Sequence, residues 1–377
     1  MTVTTATAVP LLADLVDPFL LQAEIEAGYV KRKQHPELPL SLYVYGEACQ
    51  FEHHWNDVTM RCRGLIVDDE TGRVVALPFP KIFVTAMHGV HDFAPALPAE
   101  PFEIFEKADG SLCIAFHYAG RWHAASKGSF ISDQAQWAQA VLDRSDTSLL
   151  APSLTYLAEM IYPGNRIVVD YGRREELLLL AAFRAAGGGE TPLAEAAGHW
   201  APIGGAVRSW GLSDGLAAIE ELAAASTTVD GREAGGTEEE GYVIRFASGM
   251  RAKIKLSSYL ALHKLYTGTN ERTVWEVLAS GQDPAVLFDH VPDEFADWVR
   301  QVADRQRAQV AEYVAAATAD FKTIPAGLGR KAFAAEAMKS EHRAALFRLY
   351  DGKDITEMAW KSIKPRGDTP YVTDEEG

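Results

Sequence analysis

Along the first two-thirds of the chain, apolar positions fall into short runs that alternate with polar ones or stay continuously apolar. Over the last third they recur every three to four residues. The first texture predicts strands. Ser41–Tyr45 reads as one, and Leu65–Asp68 and Arg73–Leu77 flank Asp69-Glu70-Thr71-Gly72 as a hairpin. Ile104–Glu106, Leu112–Tyr118 and, past an Ala119-Gly120 turn, Arg121–Ala125 continue the β character. Ser132 is placed to cap a helix whose Trp137, Val141 and Leu142 share one apolar face. Arg166–Tyr171 and Leu177–Phe183 are apolar enough for buried strands. Gly187-Gly188-Gly189 reads as a linker, followed by a helical excursion from Pro192 to Ala225 and a mobile surface loop over Asp230–Glu239. Gly241–Phe246 and Arg251–Leu256 are the last strands. Beyond Ser257 the pattern is helical, with Pro292–Phe321 forming one long amphipathic helix or two separated by a break. Trp275, Phe288, Trp298, Tyr313, Phe347 and Trp360 read as helical core. The expectation is an α+β body to about residue 265, with an N-terminal module over about 1–100, then an all-helical domain over 266–377.

Composition narrows this further. At 377 residues and 47% hydrophobic, the chain is long enough for two cores and has no apolar run of transmembrane length. Met1–Pro10 lacks the basic start of a secretory signal. Cys49, Cys62 and Cys113 are odd in number and widely spaced, which fits a reducing cytoplasm better than a disulfide framework. A net charge of −16 argues against indiscriminate coating of nucleic acid. Against that background Arg251, Lys253, Lys255, Lys264 and Arg272 cluster, while Gly231–Glu240 and Asp374-Glu375-Glu376 are acidic. A basic pocket in an acidic body suits a small polyanion or one end of a nucleic-acid strand.

The chemistry concentrates in Lys107-Ala108-Asp109-Gly110-Ser111. These residues lie between two predicted strands, so Lys107 is expected at a strand end beside a tight turn that Asp-Gly supplies. A lysine there is a candidate nucleophile toward phosphorus once nearby positive charge or a metal favours its neutral form. Taken alone, the same residues describe a hairpin turn with a solvated lysine. Four other stretches weigh on the choice: Arg61-Cys62-Arg63-Gly64, Glu159 through Val168, Glu240 through Arg245, and Lys253-Ile254-Lys255. Lys253 and Lys255, two apart on a strand, project from one face, an arrangement that favours a shared anion such as a triphosphate. Each stretch also has a plain reading. Arg63 could pair with Asp68 or Asp69, Glu159 with Arg166, Glu240 could continue the acidic loop, and the two lysines could be a solvated edge. His53-His54 and His88 through Asp92 look like metal ligands, but no further cluster completes a site.

In order and spacing these motifs resemble the covalent nucleotidyltransferases, and in detail the T4 RNA ligase 1 family. The shared details are Arg-Gly upstream of Lys-x-Asp-Gly-Ser, Glu-x-x-x-Pro-x-Asn-Arg-Ile-Val, Ser126-Lys127-Gly128-Ser129, and Lys-x-Lys followed by Tyr259 and His263. The resemblance spans about Leu42 to His263. It implies a nucleotidyltransferase domain of antiparallel sheets with flanking helices. It also implies that Lys107 attacks the α-phosphorus of ATP and holds AMP. By the same resemblance Arg63 and Lys81 contact the triphosphate, and Tyr45 lies against the nucleotide. Glu159 takes the ribose hydroxyls, Val243 packs under adenine, and the Leu177–Phe183 strand covers its other face. Lys253 and Lys255 neutralise the α-phosphate, with Lys127 and Tyr259 as further contributors. Glu240, and Asp283 by a looser match, would organise Mg²⁺ or Mn²⁺. No separate general base is evident.

The activity so implied is ATP-dependent joining of RNA 5′-phosphate and 3′-hydroxyl ends. It suits RNA repair, including nicked tRNA, with an end-healing kinase or phosphatase as partner and no membrane. A DNA ligase, a capping-type guanylyltransferase, and a binding protein that has lost catalysis remain the alternatives.

Overall fold

The computed structural model describes residues 9–186, 188–287 and 293–365. Gly187, Phe288, Pro292 and the acidic tail, on which some of the expectations fall, lie outside the described residues. The chain divides into two compact units, one up to Ala261 and one from Leu262.

The first unit holds three sheets. Strands β1 (Val30–Gln34), β2 (Leu40–Tyr45), β3 (Arg63–Asp68) and β4 (Val74–Ala76) form an antiparallel sheet in chain order. Farther along come β5 (Phe83–Val84), β6 (Phe102–Lys107), β7 (Ser111–Tyr118), β8 (Arg121–Ser126), β9 (Leu154–Ile161), β10 (Glu176–Arg184) and β11 (Glu190–Thr191). The last three are β12 (Ser209–Ser213), β13 (Gly241–Phe246) and β14 (Arg251–Lys255). These ten build two five-stranded sheets, ordered β11-β10-β9-β7-β8 and β12-β6-β13-β14-β5. Only β5 on β14 is parallel among them.

The two-residue period of β7 explains how the layers stack. Cys113 and Ala115 join Tyr156, Ala158, Leu177 and Leu179 on one face, covered by Val141, Leu142 and Trp200 of the helices Asp133–Arg144 and Leu193–Trp200. Leu112, Ile114 and Phe116 join Leu157 and Ala181 on the other face, against Leu40, Leu42, Val44 and Ile66 of the first sheet. Ser132 caps its helix as expected, its side chain accepting from the Ala135 N–H. Ala119 and Gly120, at φ 48° and 82°, make the tight turn between β7 and β8.

Three expectations fail, each because a distant partner outweighed local pattern. Arg166–Tyr171 is a loop, not a strand, and β9 precedes it instead. The backbone N–H groups of Val168 and Val169, which a strand would give to a neighbour, both go to Asp109. The helical excursion from Pro192 to Ala225 is interrupted by β12, which adds to the edge of β6 and sits between helices Leu193–Trp200 and Leu216–Ala224. Most consequentially, β6 and β7 are not a hairpin. β6 pairs with β12 and β13, and β7 with β8 and β9, so Lys107 through Ser111 crosses between two sheets.

The loop Asp230–Glu239 is held by ion pairs of Arg232 with Glu238 and Glu239, and of Arg208 with Glu239 and Glu106. Among the described residues the second unit is helical, with one continuous helix over Asp293–Thr323. Its cores gather Ala317, Ala345 and Ile355, and Phe333, Ala337 and Leu346. The expected core aromatics contribute: Trp275 Nε1–H donates to the Trp360 carbonyl at 2.9 Å, and Phe347 packs on Phe333.

Candidate functional site

Lys107 ends β6 opposite Gly241, the first residue of β13, and Gly241 faces Lys255 on β14. This pairing brings the side chains before and across Gly241 to the lysine. Lys107 Nζ lies 2.6 Å from Glu240 Oε2, and Lys255 Nζ lies 2.9 Å from Glu240 Oε1. Glu240 is buried, so a single carboxylate with 1% exposure holds two ammonium groups. Such a pair is costly to break by halves, since the remaining charge would stay uncompensated.

Asp109 turns the other way. Its Oδ2 accepts from the N–H groups of Val168 and Val169 at 2.8 Å each, and its Oδ1 accepts from the Tyr259 hydroxyl at 2.9 Å. Its own N–H donates to the Tyr171 hydroxyl at 2.8 Å. Burial pushes the Asp109 carboxyl up to about 6, helped by the negative charge of Glu240 and opposed by the backbone donors and Lys107. Gly110 does not adopt the left-handed angles expected of a turn glycine. It is there for close approach: a Cβ would sit 2.7 Å from the Met160 carbonyl oxygen and 3.2 Å from Glu159 Cγ. Next to it the Ser111 hydroxyl donates to Asn165 Oδ1, and Asn165 Nδ2–H donates to the Met160 carbonyl. The five-residue motif is therefore clamped against the end of β9, where Glu159 sits.

Above Lys107 opens a cleft of about 640 Å³, part of it solvent. Arg63, Lys107, Glu159, Val243 and Lys253 line it together, five of the residues the sequence singled out. Apolar lining comes from Phe79, Ile82, Phe105, Leu180 and Val207. The register of β10 is now defined. A bulge between Leu179 and Ala181 shifts the pairing with β9 and leaves Leu180 on the cleft. The acids and Arg166 named in the plain readings have contacts of their own. Asp69 pairs with Arg32, Asp68 accepts from the Tyr118 hydroxyl, and Arg166 pairs with Asp170.

Tyr45, Lys81 and Lys127 form a separate group beside this cleft. Lys81 Nζ lies 5.1 Å from the Tyr45 ring and 4.6 Å from that of Trp55, and Lys127 Nζ 5.4 Å from Tyr45. Val44, next to Tyr45, pairs with Arg63. Asp283 is exposed and belongs to the second unit. Arg251, noted in the sequence only as one of a basic cluster and given no role, is also in the cleft. Its guanidinium lies 5.0 Å from the Phe79 ring and 5.8 Å from that of Phe183, and is bonded to Glu190 at 2.5 Å. The signal was present as Arg-x-Lys-x-Lys, since Arg251, Lys253 and Lys255 share a strand face.

Residues 61–260 match the model of a protein family described as RNA ligase, more than half of the chain. The chain belongs to the RNA ligase family. Its cleft lies within the matched region. The chain is 28% identical over 176 residues to a protein of Autographa californica nuclear polyhedrosis virus named as a putative bifunctional polynucleotide kinase/RNA ligase, covering 41% of this chain and 25% of that one. It is 31% identical over 123 residues to a putative RNA ligase of Thermovibrio ammonificans, covering 31% and 32%. This RNA ligase family member thus spans about a quarter to a third of the length of the curated relatives it matches. Among solved structures, a putative ATP-dependent DNA ligase from Aquifex aeolicus aligns with a TM-score of 0.45 at 16% identity, over 89% of this chain and 99% of that one. The Naegleria gruberi RNA ligase with PPi aligns at 0.36 and 15%, over 44% and 52%. No described helix is long and apolar enough to cross a membrane. All three cysteines are free and buried, and burial pushes the Cys62 and Cys113 thiols up to about 12.

Proposed function

We propose that this RNA ligase family member joins RNA 5′-phosphate and 3′-hydroxyl ends with ATP as the AMP donor and Lys107 as the covalent carrier. The observation that carries this reading is the Lys107–Glu240–Lys255 bridge around a buried carboxylate, whose Lys107 lines a cleft together with Arg63, Glu159, Val243 and Lys253. An ammonium has no lone pair, so Lys107 must lose a proton first. Glu240 Oε2, at 2.6 Å, is within reach to accept it, a base the sequence left unidentified. Nζ then bonds to the α-phosphorus as the bond to the bridging oxygen breaks and pyrophosphate leaves. Lys253, Lys255 and Arg63 are the cations available where charge develops. An oxygen of the RNA 5′-phosphate next displaces Lys107 from the AMP phosphorus. Attack by the 3′-hydroxyl on the RNA phosphorus finally releases AMP.

The apolar slot with a few charged groups suits a nucleotide. In this reading Val243 and Leu180, both on the cleft, would pack against adenine, and Glu159 would receive the ribose hydroxyls. A divalent ion fits the donor set only as a hydrated one. Among the described residues no group of three carboxylates, histidines or cysteines gathers, and Glu240 is already shared by two lysines. Mg²⁺ or Mn²⁺ bound mainly by water, phosphate and Glu240 would supply further neutralisation of the triphosphate. The viral relative's name, which joins a polynucleotide kinase to an RNA ligase, supports RNA repair with an end-healing kinase as partner, a nicked tRNA being one fitting substrate. The free, buried thiols suit the cytoplasm.

The test is covalent labelling. The chain is incubated with Mg²⁺ or Mn²⁺ and α-labelled ATP or GTP, with Lys107→Ala in parallel. An acid-labile label from ATP that Lys107→Ala abolishes is the expected result. No label from either nucleotide overturns the enzyme reading, and a label from GTP alone points to capping chemistry. Sealing of nicked DNA in preference to RNA would reassign the substrate.

A further inference from the structure

A second surface of the first unit carries the marks of a nucleic-acid path. β1 is an edge strand whose Lys31 and Lys33 share a face, while Arg32 on the opposite face is tied to Asp69 and Ser41. Lysines on an edge strand commonly just guard it. Here they converge. Lys31 Cε lies 3.6 Å from where a side chain on Gly46 would begin, and Lys33 Nζ lies 3.9 Å from the same point on Gly128. Gly46 follows Tyr45 and Gly128 follows Lys127, so the row of cations runs from β1 to the Tyr45 and Trp55 rings, where Lys81 and Lys127 sit.

From Trp55 the rings continue outward. Trp55 meets Phe83 at 5.8 Å, and Phe83 meets Phe93 at 5.1 Å. Phe93, His91 and His53 then lie parallel within 8°, their centroids 5.0 to 6.2 Å apart. His53 and His91 are exposed, and Val90 beside them is 72% exposed. Core packing does not account for exposed histidines aligned with a phenylalanine, and no group of metal ligands forms around them among the described residues. Two carboxylates of the same module are tied to their own neighbours: Glu24 to His54 and Asn56, and Glu52 to the Tyr29 hydroxyl. The array also adjoins the nucleotide cleft. Val84 pairs with Lys253, and Ile82 and Phe79 line the cleft, so the segment that lines one side of the cleft also carries Phe83 into the rings.

We propose that Lys31, Lys33, Lys127 and Lys81 track the backbone of a single-stranded RNA whose bases stack on the His53–His91–Phe93 array, through its exposed histidines, leading the strand toward the cleft. Lysines with interleaved rings match a single strand, which offers phosphates and base faces together. A duplex hides its base faces, and an acidic peptide has none. That the strand is RNA rests on the ligase reading.

Binding of a short fluorescent 5′-phosphorylated RNA by the full chain, without ATP, tests this. The double variant His53→Ala/His91→Ala should weaken RNA binding about tenfold while sparing an abasic ribose-phosphate oligomer. Lys31→Gln/Lys33→Gln should reduce the slope of log affinity against log salt by about 1.4. Both should label at Lys107 from ATP like the unaltered chain, which also reports intact folding. Unchanged RNA affinity in both variants overturns the proposal, as does equal loss for the abasic oligomer or equal competition by polyglutamate. If the unaltered chain takes no label, the ligase reading fails alone, because the binding measurement still decides the surface, with thermal melting as the check on folding.

Discussion

Replacing Asp109 by Asn should stabilise the folded chain at neutral pH and leave it little changed in acid. The carboxyl titrates near 6 in the folded chain against 3.8 when unfolded, chiefly because it is buried. Between about pH 4 and pH 6 the folded chain therefore holds a proton that the unfolded chain has released. Stability falls as pH rises through that window, and by pH 7 the ionised group costs about 3 kcal/mol. Asn removes the titration while keeping the contacts. Its Oδ1 can accept from Val168 and Val169, and its Nδ2 can donate to the Tyr259 oxygen, which in the parent donates to Asp109. Urea unfolding of both proteins from about pH 4 to pH 7.5, compared pairwise at each pH, cancels the other titrating groups. The stability of Asp109→Asn relative to the parent should rise by about 3 kcal/mol across the window. A pH-independent difference would refute the reasoning, since it would mean that the hydrogen bonds compensate fully for burial of the charge.

Two other changes probe the cleft. Gly110→Ala should cost about 1 to 3 kcal/mol, because the added Cβ meets a strand carbonyl at 2.7 Å, and should slow Lys107 labelling by shifting Glu159. Urea unfolding and the labelling assay measure both, and normal values for each would restore the simple turn reading. Arg251→Met keeps the packing on Phe79 and Phe183 but removes a charge from the cleft, so the ATP concentration for half-maximal labelling should rise about tenfold while the rate at saturation changes little. An unaltered concentration dependence would place Arg251 outside nucleotide binding.

Much of the fold was legible because local pattern and final environment agree. β2, β3, β6, β7, β13 and β14 all lie where apolar alternation or β-branched runs predict strands. The capped helix after Ser132 was equally readable, since its signal is confined to a few neighbouring residues. β9 was not, because Thr155, Tyr156 and Glu159 interrupt an apolar run that is nonetheless buried on both faces. Nor was the loop over Arg166–Tyr171, whose valines look like strand until Asp109 claims their N–H groups. In the cleft, Arg63, Lys107, Glu159, Val243 and Lys253 could be picked out by motif. Arg251 and its partner Glu190 could not, since their pairing joins residues 61 positions apart.

By itself the sequence determined which segments could be strands or helices, and which residue types could perform phosphoryl chemistry, because propensity and periodicity act over a few residues. It left the partner of each strand open. Only the tertiary structure decided that β6 pairs with β13 rather than β7, since strand pairing is chosen by burial of whole sheet faces. That choice carries Lys107 to Glu240, 133 residues away, and turns an apparent hairpin lysine into the floor of a cleft.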